Sequence, residues 1–165
     1  ECGAVVFHSA VNATGQTKKL PRRLTIPIGM KTRAIYILHG CGYAKFLQTF
    51  AHYDFHGRKT CIESIPLVSL GQPPPDYTPD AQGPKDALPN IQDWWSDFPH
   101  GDFPRARMAP ILENDAVGAP PRYVFLYTLE WINPRPDTPI THLEISVNSD
   151  LATTLGILAV TVLKP

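Results

Sequence analysis

The sequence lacks an excess of charge of either sign, since 15 Lys and Arg residues balance 15 Asp and Glu residues. A balanced chain does not attract polyanions, which excludes electrostatic binding to nucleic acid or to an anionic membrane as the main activity. The sequence also lacks an apolar run of the roughly 18 residues needed to span a bilayer. No CxxC pair is present, which argues against a thiolate zinc site.

Cysteine is scarce and odd in number: Cys2, Cys41 and Cys61 leave at least one thiol unpaired within the chain. A Cys41–Cys61 disulfide is compatible with the sequence if the strands that carry these residues lie side by side. The first residues, Glu1–Phe7, have the pattern of a strand entering a core. This start indicates a mature or excised piece of a longer protein.

Proline is abundant: 18 of 165 residues, roughly 11% and about twice ordinary usage. Each proline inside a helix removes a hydrogen bond and clashes with the preceding turn, so this proline content argues against long helices. The 43% of hydrophobic residues is enough for a core. Length and composition together predict one soluble domain over residues 1–165 that is all-β.

Short apolar or alternating runs separated by turn residues predict about eight strands of an antiparallel β-sandwich. Pro27 lies within one alternating run, which favours an edge strand or a strand start, where a missing N–H does no harm. Two runs that are apolar on both faces are typical of central, covered strands. The predicted strands after the first residues are Leu24–Ile28, Arg33–His39, Gln48–Phe55, Arg58–Ile65, Tyr123–Trp131, Thr141–Val147 and Leu155–Leu163.

The segment 71–120 has no clear periodicity and holds ten of the 18 prolines. This pattern predicts a long, proline-stiffened loop region, and loops of this length are usually functional or mobile. Arg105–Leu112 could form a helical turn there, limited by Pro110.

Three groups of residues form a pattern that is more specific than composition. The groups are Leu24–Lys31 with Ile35–Gly40, then Asn90–Trp95, and finally Tyr127–Asp137 with Ile140–Ile145 and Leu158–Thr161. The most specific piece is the Trp131-x-Asn133-Pro134-x-Pro136-Asp137 turn. In order and spacing these groups resemble the galactose-binding-like β-sandwich modules that accompany secreted bacterial glycoside hydrolases and related enzymes.

The resemblance implies a jelly-roll sandwich, secreted or extracytoplasmic, with a carbohydrate-related and usually non-catalytic role. Its implied partners are a polysaccharide or oligosaccharide and a covalently linked or associated enzyme domain. It implies no cofactor, and a structural calcium ion is left open. The chain departs from the family at Tyr53–Gly57, where the acidic group is displaced, and in the proline-rich segment. Such modules also start well before Glu1, so upstream strands are expected to be missing or supplied by another chain.

Sugar binding needs a flat apolar surface for the ring and hydrogen-bonding groups at its edge. The tandem tryptophans of the long loop are the expected stacking platform, whereas Trp131 and His39, at the ends of apolar strands, are expected to be structural. Acidic, amide and basic side chains nearby would contact the sugar hydroxyls. The predicted carbohydrate-binding residues are Trp94, Trp95, Asp93, Asp97, Asn90, His100 and Arg105.

A second pattern lies in one extended run. His52, Asp54 and His56 are two residues apart, so their side chains would share one face of a strand and could bind zinc, copper or non-haem iron. Catalytic motifs such as GxSxG, HExxH and a phosphate-binding loop are missing from the sequence.

The sequence therefore predicts a non-catalytic carbohydrate-binding module that targets an attached carbohydrate-active enzyme. Two alternatives stay open at this stage. One is a structural sandwich that packs against an enzyme domain and has no ligand of its own. The other is a metal-dependent enzyme that uses the His52, Asp54 and His56 cluster.

Overall fold

A computed structural model of the chain describes residues 3–13, 19–75, 88–95, 99–113 and 122–165. Within these ranges the fold is all-β, without an α-helix, and so no helix long and apolar enough to cross a membrane is found among them. The strands are β1 (Val5–Val6), β2 (Arg23–Met30), β3 (Ala34–Gly42), β4 (Gln48–His56), β5 (Cys61–Leu70), β6 (Ile91–Gln92), β7 (Ala106–Glu113), β8 (Arg122–Ile132), β9 (Ile140–Val147) and β10 (Thr154–Leu163).

The strands form two five-stranded sheets. Sheet A has the order β1-β10-β3-β8-β7, and sheet B has the order β2-β9-β4-β5-β6. All neighbours are antiparallel except β5 and β6, which run parallel over Ser69 and Leu70 opposite Ile91 and Gln92. The prediction of an all-β, mostly antiparallel sandwich is confirmed.

Strand alternation builds the core between the sheets, because every second side chain points to the same face. Sheet A contributes the odd-numbered residues of β3 and β8, and sheet B contributes those of β4 and β9. The largest fully buried side chains include Trp131, Tyr53, Tyr127, Phe55, Ile35, Ile37, Leu129 and also Phe7, Phe50, Leu67, Ile91 and Ile140. The even-numbered residues of β3 and, before the bulge after Ile157, those of β10 are left on the outer face of sheet A, where the candidate site lies.

The edge strands explain two prolines. Pro27 lies in β2, which pairs only with β9 in sheet B, as the sequence predicted for an edge strand. Pro110 lies in β7, the outermost strand of sheet A next to β8. The helical turn predicted for Arg105–Leu112 is therefore wrong: an edge strand tolerates a missing N–H, while a helix does not. The segment 71–120 thus contains β6 and β7 in addition to loop.

The cysteine prediction needs one correction. Cys41 and Cys61 do not form a disulfide, because they belong to different sheets, the first buried in β3 and the second exposed at the start of β5. Each thiol donates to a nearby carbonyl instead, to that of Gln92 and of Glu63, both at 3.3 Å. Cys2 lies outside the described residues.

The expected structural role of His39 is confirmed. Its ring is fully buried, and Nδ1 lies 2.7 Å from the hydroxyl of Tyr53 on the opposite sheet. Burial lowers the pKa of His39 to about 3, so the imidazole is neutral near pH 7. A neutral histidine that bonds across the core links the two sheets without placing a charge between them.

Candidate functional site

An apolar groove of about 500 Å³ lies on the outer face of sheet A. It runs over β3 and β10 and is bounded by β1, by β8 and by the tandem tryptophans. The lining residues are Ala4, Val6, Gly40, Cys41, Gly42, Tyr43, Asp93, Trp94, Trp95, Leu126, Thr154, Gly156 and Leu158. Most of them are apolar or glycine, so the groove can take a flat ligand with an apolar face.

Three glycines form the floor of this groove. Gly40 and Gly42 alternate with the inward residues His39 and Cys41, and Gly156 pairs with Gly40 in the register of β3 and β10. A methyl group on Gly156 would meet no atom of the described chain closer than 3.9 Å, so open space lies above it. Glycine inside a strand often marks a close approach of another group to the backbone.

Trp94 forms one wall of the groove. Its side chain is 39% exposed, and its indole lies above Gly42, where an added Cβ would be 3.6 Å from Nε1. The ring of Trp94 meets that of Trp95 edge-on, with centroids 5.3 Å apart. Trp94 therefore presents an aromatic surface to a ligand lying on the glycine floor.

The backbone of Trp94 and Trp95 is inserted between the two central strands β3 and β8. β3 and β8 pair as far as His39 and Tyr127, and beyond that point residues 93–95 bridge them. The N–H of Trp94 donates to the carbonyl of Cys41, and the N–H of Phe125 donates to the carbonyl of Trp94, both at 2.8 Å. The wall of the groove is therefore part of sheet A.

Asp93 and Asn90 stabilise the chain leading into this insertion. The carboxylate of Asp93 is largely buried and accepts from the N–H of Ala44 at 2.9 Å and of Trp95 at 3.2 Å. The amide of Asn90 accepts from Val68 N–H and donates to the carbonyl of Pro66. Both side chains were predicted to contact sugar hydroxyls, and the structure assigns these polar atoms to backbone partners. Burying a backbone N–H demands such an acceptor.

His100 holds the insertion from its other end. Its ring stacks on Phe125 with centroids 3.9 Å apart, and Nε2 lies 2.7 Å from the carbonyl of Trp95. Since a carbonyl only accepts, Nε2 carries the proton, and in the neutral ring Nδ1 accepts from the hydroxyl of Tyr127 at 2.9 Å. His100 thus positions Trp95, and it is not among the residues that line the groove.

Arg105 belongs to a different cluster. It forms an ion pair with Glu63 at 2.8 Å, and the other carboxylate oxygen of Glu63 accepts from the indole N–H of Trp131 at 2.8 Å. Trp131 is fully buried and stacks on Phe55, which confirms its expected structural role. Burial alone would raise the pKa of Glu63, but the hydrogen bonds from Arg105 and Trp131 and the charge of Arg105 outweigh it and hold the pKa below 4.5.

Glu63 should make stability depend on pH. Because its pKa is lower in the folded chain than in the unfolded chain, its contribution is fully present above about pH 4.5 and is lost as the pH falls through the folded pKa. Urea unfolding from about pH 6 to about pH 3 should show a steeper loss for the wild type than for Glu63→Gln. Asp137→Asn, which removes a carboxyl that is 99% exposed, is the control. Parallel curves for the wild type and Glu63→Gln would contradict the assignment.

A second concavity, of about 550 Å³, lies on the other side of Trp95. Its lining is more polar and includes the side chains of Lys45 and Gln72. It shares Asp93 and Trp95 with the groove, so residues 93–95 separate the two spaces. The full lining is Ala44, Lys45, Phe46, Gln72, Pro73, Pro75, Asp93 and Trp95.

The remaining predicted residues lie elsewhere. On the outer face of sheet B, the strand β4 carries His52, Asp54 and His56, which alternate with the buried Tyr53 and Phe55. Asp54 and His56 lie together with Glu144 of β9, while His52 is exposed and outside that group. Asp97, also predicted to bind carbohydrate, lies outside the described residues.

Sequence reasoning missed the floor of the groove and Tyr43 at its rim. A signal for the floor was present, since Gly40, Gly42 and Gly156 interrupt the two most apolar strands, where glycine weakens a strand unless something approaches the backbone. Tyr43 follows β3 directly and is 66% exposed, with a φ of 56° that tyrosine rarely adopts. The alternation of β3 could not have predicted this turn.

Of the seven predicted carbohydrate-binding residues, Trp94, Trp95 and Asp93 line the groove, and the other described ones support or lie apart from it. Comparison of the chain with protein-family models, with curated proteins and with solved structures found no match.

Proposed function

We propose that the chain is a non-catalytic carbohydrate-binding module whose ligand site is the glycine-floored groove. The observation that carries this proposal is the half-exposed indole of Trp94 in a groove whose floor is open above Gly156. A sugar ring has one flat face of C–H groups, which packs well on an aromatic surface, and it needs a floor low enough to admit it. Gly156 provides such a floor, whereas the side chain of Leu126 lies over Gly40 and that of Trp94 lies over Gly42.

The jelly-roll assignment is part of the same proposal. With β6 and β7 set aside, the strand orders are β1-β10-β3-β8 and β2-β9-β4-β5. In a jelly roll, eight strands form two sheets by way of two Greek keys, and the chain crosses between the sheets at nearly every connection. Only the β4 to β5 connection stays within one sheet among these eight strands. This arrangement supports the assignment.

Hydrogen bonding at the edge of the ligand would come from the rim of the groove. Tyr43 lines it and carries an exposed hydroxyl group, whereas the hydroxyl of Thr154 is already bonded to that of Ser9 at 2.6 Å. With few polar groups and an open face, such a site gives modest affinity, because desolvation of a polar ligand cancels much of the gain. A tether to an enzyme domain, secreted with it, would compensate by raising the effective concentration at the polysaccharide.

The apolar lining favours a second candidate. Val6, Leu126 and Leu158 would also suit an apolar segment of an attached enzyme domain, which would make the chain a structural sandwich without a ligand of its own. The two candidate functions differ in what fills the same groove, so a test of binding to a soluble glycan distinguishes them.

The test is a binding screen of the chain against a panel of polysaccharides and oligosaccharides, with two variants. Trp94→Ala removes the aromatic wall, and Gly156→Leu fills the floor where there is room for a side chain. Each is expected to weaken binding roughly tenfold or more, as truncating or blocking a central aromatic contact does. The retained glycan class then names the ligand.

Two matched controls keep the result specific to the groove. Tyr123→Ala removes another exposed aromatic side chain, and Gly101→Leu adds the same side chain at a glycine with no described atom within 4 Å of its Cβ position; neither residue lines the groove. Both should bind like the wild type. If no glycan binds the folded wild type, or if the controls lose as much affinity as Trp94→Ala, the carbohydrate proposal fails and the structural candidate takes its place.

A further inference from the structure

The outer face of sheet B carries a cluster of three potential metal ligands. Asp54 and His56 lie two residues apart on β4, and Glu144 of β9 stands directly opposite Asp54 in the register of the two strands. One nitrogen or oxygen atom from each side chain lies within 4.8 Å of the others. We propose that Asp54, His56 and Glu144 bind a divalent transition-metal ion of the zinc class.

The charges of the cluster favour a cation. Two carboxylates that face each other across neighbouring strands destabilise a sheet. Among the described residues these two carboxylates form one ion pair, in which Nη1 of Arg23 lies 3.5 Å from Glu144 and the Arg23 side chain is 67% exposed. An exposed ion pair of this length contributes little. One Arg therefore compensates at most one of the two carboxylates, and a bound dication would balance both.

His56 provides an independent indication. Its Nε2 is shielded from solvent and has no hydrogen-bond partner in the described part of the chain. A shielded ring nitrogen without a partner costs free energy, and native structures usually satisfy such atoms. A metal ion at the cluster would supply a partner of the kind that imidazole nitrogen prefers.

The surroundings hold the imidazole in place before any ion binds. The ring of His56 stacks on that of His142, with centroids 4.4 Å apart and planes within 6° of parallel. The hydroxyl of Thr141 lies 3.0 Å from the carbonyl of His56 and also 3.0 Å from Nδ1 of His142. Neighbours that fix the orientation of ligating side chains are typical of metal sites.

The donor set selects the class of metal. One imidazole nitrogen and two carboxylate oxygens suit zinc and the neighbouring first-row dications, with open positions for water. Cys61 pairs with His56 across β4 and β5, but its sulfur is outside the cluster. The thiol donates instead to the carbonyl of Glu63 at 3.3 Å. His52 lies on the same face but beyond the cluster.

The experiment is a calorimetric titration of the metal-free full chain with Zn²⁺, repeated with Co²⁺, whose visible absorption reports nitrogen and oxygen ligation. The wild type should bind one equivalent. Asp54→Asn and Glu144→Gln should each weaken binding about tenfold or more, as loss of one of three ligands would. Both variants relieve the repulsion between the carboxylates, so they should fold at least as well as the wild type without metal.

His52→Asn and Cys61→Ser are the matched controls, since each removes a donor beside the cluster without touching it. Both should keep the wild-type affinity within about twofold. Excess Zn²⁺ should raise the melting temperature of the wild type and of these two controls by more than that of Asp54→Asn or Glu144→Gln. Absence of one-equivalent binding to the wild type, unchanged binding by Asp54→Asn, or loss of binding in either control would overturn the proposal. The site lies on the sheet opposite the groove, so its failure leaves the carbohydrate proposal untouched.

Discussion

Replacing Gly71 by alanine is expected to lower the free energy of unfolding by about 3 kcal/mol or to prevent folding. A Cβ at this position would lie 2.2 Å from the carbonyl oxygen of Ala44 and under 3 Å from the carbonyl carbons of Ala44 and Lys45. These are backbone atoms, which cannot rotate away as a side chain can. The hydroxyl of Ser69, two residues earlier, fixes the contact by donating to the carbonyl of Lys45 at 2.7 Å.

The measurement is urea unfolding of Gly71→Ala beside Gly156→Ala. The second glycine is also in the body of the fold, but an added Cβ there meets nothing closer than 3.9 Å, so its effect should stay within about 0.5 kcal/mol. Equal midpoints for the two variants would show that Ala44 can move away from Gly71. Since Gln72 and the prolines after Gly71 line the polar concavity, a folded Gly71→Ala protein should also show an altered environment there.

Trp131→Ala should have the largest effect of any single truncation, about 3–5 kcal/mol. The side chain is 1% exposed, it stacks on Phe55 with centroids 3.9 Å apart, and its indole N–H donates to Glu63. Alanine would leave a large cavity between the two sheets and would remove one of the two donors that hold Glu63. Trp131→Phe should cost clearly less, because it keeps an aromatic ring against Phe55 and loses only the hydrogen bond and part of the volume.

Trp94→Ala is the matched comparison, since it removes the same side chain from a half-exposed position. It should cost about 1 kcal/mol, because its surface is only partly withdrawn from water. The measurement is the free energy of unfolding in denaturant for Trp131→Ala, Trp131→Phe and Trp94→Ala under one set of conditions. If Trp94→Ala lost as much stability as Trp131→Ala, Trp94 would be a core residue and its loss of glycan binding would no longer be evidence for a binding wall.

The sequence predicts the strands well because each is encoded locally. Alternation places β2 and β9, and the apolar runs place β3, β8 and β10; the candidate strands Gln48–Phe55 and Arg58–Ile65 correspond to β4 and β5. The two strands that the sequence misses, β6 and β7, both lie in the segment 71–120 that was predicted to be a loop region. Ala106–Glu113 carries a proline and weak periodicity, and it becomes a strand only because β8 offers it an edge.

The candidate site is less predictable because its polar side chains form hydrogen bonds with backbone groups. Asn90 and Asp93 are the residue types that bind sugar hydroxyls, but a chain that crosses from one sheet to the other buries N–H groups that need acceptors. Arg105 forms an ion pair with Glu63, which lies 42 residues away in the sequence, and no spacing rule predicts that pairing. The exposed ring of Trp94 is the part of the prediction that depended on residue type alone, and the structure leaves it accessible.

The insertion of residues 93–95 between β3 and β8 has a consequence for how a ligand would be recognised. The main-chain bonds to Cys41 and Phe125 fix the backbone of Trp94, and its indole packs edge-on against Trp95. The wall is therefore preorganised, and little conformational entropy is lost when a ligand settles against it. Discrimination among ligands then depends on shape: a ring that fits the fixed spacing between indole and glycine floor binds, and the protein does not adapt to one that does not.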